Sequence, residues 1–188
     1  MAKTTKANFD TVRLSKRLPR HSPPQLPVSN QVRGRLRGEA LGLYMNDLLH
    51  ARGHRARKVA TRHITHGNTL AAVHKPSEKA LELLGLCVAS STLIDGEAYI
   101  NGLVVAPLHR RTHEHIGAFL VWRMAEVLKP AGVTALGLTT DNKERQTEFY
   151  ESLGFREAIH AGGLTMMKAE VAIITDVIAK RYPDLLGT

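Results

Sequence analysis

The chain has 188 residues, 43% of them hydrophobic and 23% charged, a formal net charge of +9 and one cysteine. That length suits a single domain with its own core. No apolar run reaches the roughly 18 residues that cross a bilayer, the opening MAKTTKANFD carries no apolar leader core, and the lone Cys87 excludes an internal disulfide, so a reducing cytoplasm is the expected setting.

The charge is unevenly placed. Residues 1–63 hold 14 Lys and Arg against 3 Asp and Glu (+11), whereas residues 64–188 hold 12 against 14 (−2). A basic third of this kind fits an anionic partner, nucleic acid first, or a solubilising arm. Phe9 is the lone aromatic between Lys3 and Arg37, so a base-stacking platform is not expected there.

In chain order, residues 1–28 read as a basic, flexible arm, with three prolines in HSPPQLP and an edge strand available to TVRLSKRL. Ser29 or Asn30 caps a helix predicted over about 31–52, with Val32, Leu36, Ala40, Leu43, Met45, Leu48 and Leu49 along one face and Gly53 at its end. Arg55 to Arg62 reads as a basic connector. Strand-like runs near 64–74 and 80–94 flank the turn KPSEK, and Cys87 in the second reads as a small buried hydrophobe. The turn IDGE leads into the strand AYINGLVVAP. A helix over about 115–129 follows, with Ile116, Phe119, Leu120, Met124, Val127 and Leu128 at helical spacing until KPAG breaks it. VTALGLTT is a strand, and ERQTEFYESL is a short helix with Gly154 as its C-cap. Strands at 155–160 and 164–170 and a last amphipathic helix through Val171, Ile174, Val177, Ile178 and Tyr182 close the chain. The sum is a mixed α/β fold over residues 29–188, a central mixed β-sheet flanked by helices with a parallel β–α–β crossover.

Ligands of such sheets gather beyond the strands' carboxyl ends, where a crossover helix begins. HRRTHEH, residues 109–115, sits there. As a metal site, His109, His113 and His115 lack both a fourth ligand and the H-E-x-x-H spacing, and no metal is expected. A solvated loop is the plain alternative. The third reading is an anion site, because first-turn N–H groups of a helix need acceptors and its dipole favours negative charge. Arg110 and Arg111 add charge-assisted bonds, which points to a polyphosphate-bearing ligand.

Two further patterns carry a resemblance. Leu103, Val105 and Pro107 form L-x-V-x-P at the strand end, and Phe149-Tyr150…Leu153-Gly154-Phe155 form F-Y-x-x-L-G-F. In that order, around a β–α–β unit, they resemble the GNAT superfamily of acyl-CoA-dependent N-acyltransferases, most clearly over residues 80–168. The resemblance implies acetyl-CoA, or another acyl-CoA, as co-substrate. Its pantetheine would lie along Leu103, Val104 and Val105, with Asn142 as a further contact. Its pyrophosphate would lie on Arg110, Arg111, Thr112, His113, His115, Ile116, Gly117 and Ala118.

The resemblance also implies Tyr150 as the general acid that protonates the departing thiolate. Glu97 is the best placed carboxylate for a base; loss of the amine proton through water and a solvated turn glutamate are the alternatives. The family's loop reads R/Q-x-x-G-x-G/A. Without gaps, His113 and His115 replace both glycines; with two extra residues, HIG stands for G-I-G and Gly117 survives. Two functions are compatible with these residues. The first is an N-acetyltransferase acting on an amine acceptor, whether a protein, an aminoacyl-tRNA or a small molecule, with nucleic acid held through residues 1–63. The second is a non-catalytic GNAT-like binding module attached through the basic third. A homodimer is compatible with either.

Overall fold

The computed structural model describes residues 9–15, 25–46, 54–77, 80–90, 95–110, 115–141 and 144–186. Among these residues the strands are β1 (Phe9–Arg13), β2 (Asn68–Ser77), β3 (Ala80–Ala89), β4 (Glu97–Val105), β5 (Ala135–Thr140), β6 (Arg156–Ala161) and β7 (Leu164–Glu170). The helices are α1 (Asn30–Tyr44), α2 (His54–His66), α3 (Ile116–Leu128), α4 (Glu144–Ser152) and α5 (Val171–Arg181). The strands form one sheet in the order β1-β2-β3-β4-β5-β7-β6, antiparallel throughout except for the parallel pair β4–β5.

Helices cover both faces. Because strand side chains alternate, Leu70 and Ala72 of β2 join the core under α3 and α5, while Ala71 and Val73 join the core under α1 and α2. On the first face α3 is apolar almost all round, with Phe119, Leu120, Val121, Met124 and Val127 buried. On the second, Leu36, Ala40 and Tyr44 of α1 and Ala60 and Ile64 of α2 meet the sheet.

Two expectations are corrected. The segment predicted as a basic connector is helix α2. Ala60 and Ile64, one turn apart, reach the sheet, and Arg, Lys and Ala are good helix formers. The following strand accordingly begins at Asn68 rather than at 64. Within 1–28, read as an arm, the edge strand available to TVRLSKRL is present as β1 at one end of the sheet, so that stretch belongs to the fold. Val12 and Leu14 are fully buried, Leu14 N–H donates to the Thr69 carbonyl at 3.0 Å, and Leu26 N–H donates to Thr11 at 2.9 Å. The rest of that segment lies outside the described residues. Ser29 caps α1 as predicted, its hydroxyl accepting from Val32 N–H at 3.3 Å. The α-helix ends at Tyr44, and residues 47–53 of the longer predicted helix and its stop lie outside the described residues.

The feature that shapes the site is a split in the sheet. β4 and β5 pair through Glu97↔Ala135, Ala98↔Leu136 and Tyr99↔Gly137, and there the pairing stops. β4 continues against β3 to Val105↔Gly85, and β5 continues against β7 to Thr140↔Thr165, so the two strands part as a V. Immediately after the last parallel pair the β3–β4 register shifts, leaving Asn101 as an extra residue between Ile100↔Ala89 and Gly102↔Val88. Such a bulge bends and twists its strand and re-aims the residues beyond it. Accordingly Ala98 and Ile100 lie in the α3-side core, whereas Val104 lies in the opposite core and Leu103 and Val105 pack on the α3 side. Tyr44 braces the bulge. Its hydroxyl lies 2.8 Å from His63 Nδ1 and donates to the Asn101 carbonyl at 3.4 Å.

Candidate active site

The backbone of β4 sets the first wall. Ala106 N–H donates to the Leu84 carbonyl at 2.7 Å, which fixes the phase of the ladder. In an antiparallel pair, alternate residues turn both backbone groups toward the partner strand. Val104 therefore faces β3, and Leu103 and Val105 face the opening that β5 has left. Arg110 Nε donates to the Val105 carbonyl at 2.9 Å, holding the loop after β4 against the strand end.

The second wall is the start of α3. His115 is its N-cap residue in the left-handed region (φ 52°), and its side chain makes no capping hydrogen bond. A glycine ordinarily serves such a position, and in the longer-loop alignment His115 is the residue that stands for the first glycine of G-I-G. The first carbonyl of the helix is used, with Phe119 N–H donating to His115 at 3.0 Å. The N–H groups of Ile116, Gly117 and Ala118 precede that bond, so none has an acceptor within the helix. Gly117 has a packing reason as well: a Cβ there would stand 3.1 Å from Phe149 Cζ. Its bare backbone lets α4 close against α3.

The third wall is α4, and its end explains F-Y-x-x-L-G-F. Gly154 takes φ 94°, and its N–H donates to the Glu151 carbonyl at 2.9 Å. Phe155 N–H donates to the Tyr150 carbonyl at 3.1 Å, completing the two-bond cap of a helix that ends in a left-handed glycine. The hydrophobic contact usual to that cap is Tyr150 against Phe155, with ring centroids 5.7 Å apart, and Phe149 stands 5.1 Å away on the other side. Tyr150 is thus locked by its own helix stop. Burial first, and then the neighbouring Cys87, push its phenol above the ordinary range, so it stays protonated at neutral pH.

These walls enclose a cleft of about 450 Å³, within the usual range for small-molecule sites. Leu103, Val105, Arg110, His115, Ile116, Gly117, Ala118 and Tyr150 line it, so the structure brings together most of the predicted residues. Val104 points its side chain into the opposite core. Arg111, Thr112, His113 and Asn142 lie outside the described residues.

Glu97 is not brought to the cleft. It stands at the start of β4, six residues from Leu103 and hence about 20 Å along an extended strand, and it pairs with Lys168. Arg145, Gln146, Thr139 and Tyr182 also line the cleft, and the sequence patterns did not single them out. Arg145 and Gln146 precede Phe149 and Tyr150 by four residues each, a spacing that puts them on the same helix face. Tyr182 reaches the cleft through a ring contact with His115, centroids 4.6 Å apart, which no local pattern announces. The cleft's lining carries Arg110, Arg145 and two histidines and no carboxylate among the described residues, a field that attracts anions.

A family model described as Acetyltransferase (GNAT) family matches residues 54–155. The chain belongs to the GNAT acetyltransferase family. No curated protein matches it. Among solved structures it is similar to an aminoglycoside 6′-N-acetyltransferase complexed with coenzyme A, at 17% identity and a TM-score of 0.60, covering 77% of this chain and 96% of that one. The PaiA N-acetyltransferase of Thermoplasma acidophilum, in complex with coenzyme A, gives 17%, 0.53, 76% and 95%. A GNAT acetyltransferase of Staphylococcus aureus gives 13%, 0.60, 87% and 99%. At these identities the likeness is one of fold.

Proposed function

We propose that this GNAT chain transfers an acyl group, most simply acetyl, from acyl-CoA to an amine. The V between β4 and β5 carries the proposal, because it turns the backbone of Leu103 and Val105 into a cleft shared with a protonated, partly buried Tyr150. The cleft fits the co-substrate by its donor set. The amide-rich pantetheine arm matches Leu103 and Val105 as a further strand would. A pyrophosphate matches the N–H groups of Ile116, Gly117 and Ala118 with Arg110 beside them. By sequence, Arg111, Thr112, His113 and His115 extend that set, and Asn142 remains a pantetheine contact by resemblance.

When bound, acyl-CoA supplies a thioester. The amine nitrogen bonds to the acyl carbon, the carbon–sulfur bond breaks, the nitrogen loses a proton and the sulfur gains one. Val105 N–H is placed to polarise the acyl oxygen. Tyr150 Oη is the donor to sulfur, a phenol that carries its proton at neutral pH and shares the cleft with the backbone of Leu103 and Val105. Glu97, paired with Lys168, has no part in this scheme; the amine proton leaves through water. The basic N-terminal third suits an acceptor amine carried on or near a polyanion.

Thermal unfolding with saturating acetyl-CoA tests the reading, since a ligand at about 100 times its Kd stabilises by ~2.7 kcal/mol. No rise in Tm sinks it. A rise without turnover of any amine marks the non-catalytic scaffold instead.

A further inference from the structure

The cations of the α1/α2 layer divide into two groups. Those of α1 are tied to the fold: Arg37 Nε donates to the Leu14 carbonyl at 2.6 Å, Arg33 reaches the Val28 carbonyl at 3.5 Å, and Arg35 binds both Glu39 at 2.6 Å and the Leu81 carbonyl at 2.8 Å. Arg57, Lys58 and Arg62 of α2 are exposed and meet no hydrogen-bond or ion-pair partner among the described residues. The 13 residues of α2 contain no Asp or Glu. Lys58, Arg62 and the exposed His66 follow one another at four-residue intervals, a row with a rise of about 6 Å per step.

In isolation this arrangement is unfavourable twice over. Arg57 and Lys58 stand near the positive end of the helix dipole, and Lys58 and Arg62 are like charges one turn apart. Local rules broken without compensation among the described residues are a mark of function. An anion array reverses the sign of both terms.

We propose that the exposed face of α2 docks the phosphodiester backbone of nucleic acid. A protein partner would want aromatic or apolar anchors, and among the described residues this face offers only Val59, 41% exposed. With no Phe, Tyr or Trp on α2, the surface tracks phosphates rather than stacking bases. It lies across the sheet from α3, and His63 of the same helix is joined through Tyr44 to the bulge residue Asn101, which lines the cleft. Its use in catalysis rests on the acyl-transfer reading; the docking itself does not.

The experiment is fluorescence anisotropy of labelled DNA and RNA duplexes of one sequence, titrated with the full chain and with Arg57→Gln/Lys58→Gln/Arg62→Gln over a range of salt. Three lost phosphate contacts lower the DNA salt slope by about 2.7, which amounts to about 40-fold in affinity between 50 and 200 mM salt. Binding of either duplex with that loss supports the surface and identifies which nucleic acid it prefers. Absence of binding overturns it, as does an unchanged slope in the variant. Polyglutamate competing as well as duplex at equal charge overturns the assignment to nucleic acid. The triple variant keeps or raises its Tm, so a loss of binding is not misfolding. If acetyl-CoA stabilises neither protein while duplex binding shows the expected slopes, acyl transfer fails and the docking surface stands.

Discussion

Across the sheet from α3, which buries ten of its thirteen residues, α2 touches the core through Ala60 and Ile64 and turns Arg57, Lys58 and Arg62 to solvent. The buried layer fixes chemistry: α3 cannot shift without opening the core, so its first-turn N–H groups stay aimed at the cleft, and Gly117 seats Phe149 of α4 beside them. The exposed layer is held by few apolar contacts, and its charges answer to whatever approaches from outside. Precision of placement comes with burial, and freedom to carry uncompensated charge comes with exposure.

The strongest test of that contrast is in the core. Phe119→Ala is expected to cost about 3–5 kcal/mol in chemical denaturation, whereas Val59→Ala on the other layer stays within about 0.5 kcal/mol. If the two costs prove similar, the contrast fails. Next is Tyr150→Phe, which removes the proposed proton donor and leaves the ring packing of the helix stop intact. A fall of about 10²-fold or more in kcat is expected, with the KM for acetyl-CoA little changed in steady-state assays.

Gly117→Ala separates packing from folding. The Ala gains about 0.5–1 kcal/mol of helix preference but crowds Phe149 Cζ at 3.1 Å, so turnover should drop several-fold while Tm moves little.

High pH probes the buried side as well. Burial holds the Cys87 thiol, ordinarily 9.0, up to about 12, and burial and then Cys87 raise the Tyr44 phenol from 10.0 to about 12. Both groups keep their protons more tightly when folded, so their contribution is intact below the unfolded values and is lost as pH rises from about 9 through about 12. In Cys87→Ala, the loss of Tm with pH should start about one unit later. The smallest effect is the charge variant Arg57→Gln/Lys58→Gln/Arg62→Gln. Relieving like-charge and dipole terms of a few tenths of a kcal/mol each should leave Tm unchanged or raise it by about 1–2 °C.

Much of this is legible along the chain, for local reasons. Apolar spacing marks α3. Gly154 before Phe155 marks a helix stop that can belong only to the preceding turn, and L-x-V-x-P marks the strand that leads into the cleft. α2 escapes such a reading because only Ala60 and Ile64 carry its apolar face, too few to stand out beside Arg57, Lys58, Thr61 and Arg62. Val12 and Leu14 look like part of an arm because their burial comes from pairing with β2, more than fifty residues away. Glu97 looks well placed because sequence nearness to Leu103 says nothing about which end of an extended strand meets the ligand.

The sequence by itself determined where most helices and strands start and stop, which face of each is apolar, and that a cationic loop precedes a helix. Those properties depend on spacing within a turn or a pleat. Only the tertiary structure decided that β4 leaves β5 at Tyr99, that His115 holds a glycine-like φ, and that Tyr182 and Arg145 share a cleft with Tyr150. Each of these depends on a bulge, a strained dihedral or a contact between distant segments, and such features are settled when the layers pack.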